Sequence, residues 1–86
     1  RPARPGTLLG VQASRVFVEL DDFPIELKVY RPDLEAAWGP FEAARDGTAL
    51  VFERPGAPSL RVGDAVGLRV VGHEAGHWQL RPEPAG

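Results

Sequence analysis

Two alternating stretches hold the residues of this 86-residue chain best suited to holding a ligand. They are Arg15-Val16-Phe17-Val18-Glu19-Leu20 and Ile25-Glu26-Leu27-Lys28-Val29-Tyr30. In an extended strand successive side chains face opposite ways. With Val16, Val18 and Leu20 turned to a core, Arg15, Phe17 and Glu19 face outward. With Ile25, Leu27 and Val29 turned the same way, Glu26, Lys28 and Tyr30 face outward too. Two aromatics and two cations then share one exposed patch. Aromatic rings stack on unpaired bases while cations follow the phosphates between them, so the patch suits a single-stranded oligonucleotide. An exposed aromatic on each strand is also ordinary, and Phe17 can instead pack under a neighbouring hairpin.

Two further sets suggest chemistry and are declined on their surroundings. His73-Glu74-Ala75-Gly76-His77 matches H-E-x-x-H, which binds zinc when a helix brings both histidines to one face. Here Gly72 and Gly76 bracket the stretch and strands flank it, so a turn at a barrel rim is expected, where His73 can meet a phosphate. Asp21-Asp22 sits in a turn before Phe23-Pro24. Adjacent turn residues do not make the converging carboxylates that two-metal chemistry needs.

The elements that position these residues are short. Nine prolines and ten glycines break the chain and leave no long helical period. Thr7 to Gln12 reads as a first strand with a bend or bulge at Gly10, followed by the two alternating strands. Pro32 to Trp38 is the one helical candidate, stopped by Gly39-Pro40, with Leu34 and Trp38 on one face to plug a barrel end. Phe41 to Arg45 and Thr48 to Glu53 flank Asp46-Gly47, a pair suited to a type I′ turn. Leu60 to Val62 can pair back briefly. Ala65 to Val71 directs Val66, Leu68 and Val70 to one face and Arg69 to the other. A turn around Gly72 to Gly76 leads to a last strand, His77 to Arg81. Three strands, a helix, an inserted hairpin and two strands is the order of an all-β, five-stranded OB-fold barrel. The expected domain spans residues 6–81, between a proline-rich linker (1–5) and a tail (82–86) that neither extends a strand nor joins the core.

Gly6-Thr7-Leu8-Leu9-Gly10-Val11, with Val16-Phe17-Val18-Glu19-Leu20, resembles the opening of the ribosomal-protein S1 type of RNA-binding domain. Gly63-Asp64-Ala65-Val66-Gly67-Leu68-Arg69-Val70 is similar to the fourth-strand signature of that family. The Ile25–Leu34 stretch, Asp46-Gly47-Thr48 and Trp78-Gln79-Leu80-Arg81-Pro82 resemble the C-terminal S1 domain of ribonuclease II-family exoribonucleases. The likeness implies RNA contacts at Phe17 and Tyr30, with Lys28 and Arg69 as nearby cations. It also implies a parent that degrades RNA from the 3′ end with magnesium on clustered aspartates in an upstream domain. This chain itself then holds neither catalytic residues nor a cofactor. One departure is clear. The family commonly has an aromatic and then a glycine before the second strand, and this chain has Ser14-Arg15, which implies weaker RNA binding.

Composition sets the remaining bounds. A chain this short buries only about 60–65% of its unfolded surface, which favours a binding module over a free-standing enzyme. Net charge is −2, so affinity for a polyanion must come from a local surface rather than a general field. There is no cysteine, and no apolar run is long enough for a membrane span. The expected setting is cytoplasmic and monomeric, with single-stranded RNA and other domains of the same polypeptide as partners and no membrane. A barrel used mainly for packing against other protein, with little RNA affinity, is the alternative.

Overall fold

In a computed structural model describing residues 3–85, the chain forms eight strands and one helix. They run β1 (Arg4–Val11), β2 (Arg15–Leu20), β3 (Glu26–Tyr30), α1 (Arg31–Trp38), β4 (Phe41–Ala43), β5 (Ala49–Phe52), β6 (Leu60–Arg61), β7 (Ala65–Glu74) and β8 (His77–Pro84). Five strands make one antiparallel sheet in the order β3-β2-β1-β7-β8, and β4-β5-β6 make a small second sheet. The expected set of five main strands, helix and inserted hairpin is present. Closure is not: among the described residues no backbone ladder joins β3 to β8, so the sheet keeps two edges. Alternating antiparallel neighbours make those two edge strands run in the same direction.

The core follows from strand alternation. Val16, Val18 and Leu20 from β2 and Val29 from β3 are buried with Leu8, Val66, Leu68 and Leu80. Leu34 and Trp38 of α1 are buried as well, so the helix does cap this core. Behind them, Phe52 lies 5.5 Å from both Trp38 and Phe41, tying the small sheet to the helix. Arg31 locks the junction: its guanidinium donates to Ala13 O at 2.7 Å, to Phe41 O and to Glu35, and lies 4.1 Å from the Phe41 ring centroid.

Four expectations need correction. Arg4-Pro5, read as linker, belongs to β1 and pairs with Leu68 and Gly67 of β7. Pro82-Glu83-Pro84, read as tail, extends β8 opposite Leu68, Gly67 and Val66. An edge strand tolerates proline because one of its sides carries no ladder to break; β8 is such an edge. Asp46-Gly47 does not make a type I′ turn, since only Gly47 has positive φ (72°). Asp46 Oδ1 accepts bonds from both the N–H and the hydroxyl of Thr48, and Gly47 N–H donates to Ala44 O, giving a longer loop. The two-residue turn with positive φ at both positions is instead Ala75-Gly76 (52° and 80°), between β7 and β8. Finally, two of the inward-facing sets are each one residue shorter than expected: Ile25, outside β3, is 39% exposed, and Val70, on the face of Val66 and Leu68 by alternation, is 59% exposed. The β7–β8 register shifts between Val70 and Gly72, while the expected irregularity near Gly10 is a shift between Leu8 and Gly10.

Candidate nucleic-acid interface

The β2–β3 ladder sets the geometry of the patch. Arg15 lies opposite Tyr30, Phe17 opposite Lys28, and Glu19 opposite Glu26. Directly opposed residues share a face, so Arg15, Phe17, Lys28 and Tyr30 form a two-by-two block of cations and aromatics set diagonally. The next pair along is acidic. The block is open enough to touch a ligand: Lys28 is exposed, and the other three are half-buried.

Three of the four side chains have a local reason for their position. Phe17 lies over β1 at Gly10, where an added Cβ would stand 3.7 Å from the ring. The Arg15 guanidinium carbon is 5.6 Å from the Phe17 centroid, within cation–π range. Arg15 Nε is buried and has no hydrogen-bond partner among the described residues. A donor in that state costs free energy until an acceptor reaches it. Tyr30 packs edge-on against His77, with centroids 5.2 Å apart, across the gap between β3 and β8.

The other two expected contacts lie apart from this block. Arg69, on β7, is separated from β2 by β1. Its Nε and an Nη donate to the two carboxylate oxygens of Glu83 at 2.6 and 3.2 Å. That pairing raises the Arg69 pKa and lowers that of Glu83, through the hydrogen bonds first. His73 packs against Trp78 at 4.7 Å, centroid to centroid.

The H-E-x-x-H stretch lies on a β-hairpin, as its glycines suggest. Glu74 is opposite His77 and His73 is opposite Trp78. His73 and His77 thus point to opposite faces of the hairpin, which is the reverse of what zinc ligation at i and i+4 requires. Asp21 and Asp22 are engaged elsewhere. Asp22 accepts from Arg4 at 3.0 Å on each oxygen, and Asp21 Oδ1 accepts from the Thr7 hydroxyl.

Sequence reasoning missed His77 as a neighbour of Tyr30, and it missed the exposure of Trp78 (59%). The short Ala75-Gly76 turn was the available signal: it makes His77 the first residue of β8 and brings it to the rim. No family model matches this chain, and no curated protein is significantly similar to it.

Proposed function

We propose that this chain is a single-stranded RNA-binding domain of the S1 type, serving a ribonuclease II-family 3′→5′ exoribonuclease. The observation that carries this reading is the register of β2 on β3, which sets Arg15 and Lys28 diagonally about Phe17 and Tyr30. Bases stack on the two rings, and phosphates meet the two cations. The strand order β3-β2-β1-β7-β8 is that of an OB barrel opened at one seam, and in such barrels the second and third strands are a usual oligonucleotide face. The domain guides substrate, while bond cleavage and its magnesium belong to a catalytic domain of the parent. Arg69 is not assigned a contact, because Glu83 holds its fork.

Binding of a fluorescently labelled oligouridylate, read by anisotropy at low salt, tests this proposal. Base stacking is worth about 1–3 kcal/mol per ring, so Phe17→Ala and Tyr30→Ala should each weaken binding roughly 5- to 150-fold. Arg69→Ala should leave it nearly unchanged. Wild-type affinity in both aromatic variants would remove the stacking face from consideration.

A further inference from the structure

The unpaired seam between β3 and β8 has the parts of a second binding site, distinct in chemistry from the cation–aromatic block. The bonds from Leu20 N–H to Ile25 O and from Arg31 N–H to Ser14 O fix the parity of the β2–β3 ladder. Hydrogen-bonded pairs alternate with non-bonded ones along an antiparallel ladder, so the odd-numbered β3 residues bond β2. Glu26 and Lys28 therefore turn their backbone N–H and C=O toward the open edge. Beside that edge lies a cleft of about 310 Å³, walled by Phe23, Ile25, Leu27, Val70, Trp78 and Leu80. A second hollow of about 230 Å³ continues it past Glu26 to Tyr30 and His77, sharing Leu27, Trp78 and Leu80. Phe23 (57%), Val70 (59%) and Trp78 (59%) are all more than half exposed along this groove.

The charge at its mouth selects the occupant. Glu19 and Glu26 oppose each other directly, and Asp21 and Asp22 precede Phe23. Arg4 also lines the cleft, but both carboxylate oxygens of Asp22 hold it. Lys28 also lines the second hollow, beside Glu26. With Arg4 and Asp22 cancelling each other, Glu19, Asp21 and Glu26 outweigh Lys28, an acidic balance that disfavours a phosphate backbone. A second copy of this chain would bring the same acids against themselves. A free strand edge beside apolar walls asks for backbone donors and acceptors alternating with apolar side chains, which is what an extended peptide supplies.

We infer that the β3–β8 seam binds an extended peptide segment with apolar residues at alternate positions and basic residues between them, added as a strand to the free edge of β3. The apolar side chains enter the cleft against Trp78 and Leu27. The intervening basic side chains face Glu19 and Glu26. The Tyr30–His77 contact closes one end, so the segment seats from the Phe23 end.

The test uses an acetylated, amidated (Val-Lys)3 peptide titrated into the ¹⁵N-labelled protein, with isothermal titration for affinity. Saturable binding is expected, with the largest amide shifts at Glu26, Lys28 and Trp78. A (Val-Glu)3 peptide, a (Val-Lys)3 peptide N-methylated at alternate residues, and the Trp78→Ala variant should each bind at least about tenfold more weakly. Trp78 is exposed, so its replacement spares the core, and unfolding by urea checks this. Equal affinity for the N-methylated and plain peptides would overturn strand addition. Equal affinity for the acidic peptide would overturn the charge argument. Oligouridylate shifting the Trp78 amide, which lies on β8 away from the β2–β3 face, would assign the seam to RNA, and concentration-dependent dimerisation through it would assign it to a second copy; either overturns the proposal. Loss of RNA binding in the Phe17 variant with peptide binding retained would leave both sites standing as separate.

Discussion

Glu83 and Asp46 are carboxylates held ionised by what they touch. Arg69 hydrogen-bonds Glu83, and the hydroxyl and N–H of Thr48 both bond Asp46, so both pKa values lie below their ordinary ones. A carboxylate with a lower pKa folded than unfolded adds stability that is fully present above the unfolded value. That stability is lost as pH falls through the folded value. With ordinary carboxylate values near 4, the loss begins below about pH 5 and deepens toward pH 2. Urea unfolding at pH 7 and pH 3 should show a smaller acid-induced loss in a Glu83→Gln, Asp46→Asn double variant than in the native sequence. Equal losses would mean neither contact contributes. Here the sequence was least legible. Arg69 read as a free cation because its partner stood in a proline-flanked segment that offered no strand signal. Only the pairing of Arg69 with Arg81 and of Gly67 with Glu83 brings that carboxylate into reach.

Among the elements, β2 and β3 were readable because a half-buried strand repeats every two residues. Val16, Val18, Leu20 and Val29 are buried as the alternation requires, Leu27 is partly buried, and Ile25, just outside β3, is 39% exposed. Turns were harder. Asp46-Gly47 carries the stronger type I′ signal, yet the Asp46 carboxylate bonds Thr48 and keeps Asp46 out of the left-handed region. Ala75-Gly76 carries a weaker signal and makes that turn, at the cost of Ala75 at φ 52°. An L-residue with a Cβ pays roughly 1–2 kcal/mol there, whereas asparagine is tolerated and Asn-Gly is the preferred pair. Ala75→Asn should therefore stabilise the domain by about 1 kcal/mol, raising Tm by about 4–8 °C. Thermal unfolding followed by circular dichroism checks it. An unchanged or lower Tm would mean the β7–β8 pairing, rather than turn strain, sets the stability of this hairpin.

For the molecule as a whole, charge decides how RNA would be held. The net charge is −2, and the cation–aromatic block borders an acidic end at Glu19 and Glu26. The set of five main strands with a helix and an inserted hairpin was legible along the chain, but the open seam was not. Closure depends on the relative twist and approach of β3 and β8, which are far apart in sequence. That seam confines the proposed RNA surface to one side: the cations beside the rings are Arg15 and Lys28, Arg31 is spent on Ala13, Glu35 and Phe41, and Arg69 on Glu83. Each phosphate neutralised on a single strand contributes about −0.7 to the slope of log K against log salt, so two contacts give roughly −1.4. Anisotropy titrations between 50 and 200 mM salt should then lose only about sevenfold in affinity. Arg15→Gln or Lys28→Gln should each flatten the slope by about 0.7 while leaving stacking on Phe17 and Tyr30 in place. A slope steeper than about −3 would require four or more phosphate contacts, and the β2–β3 face alone would not supply them.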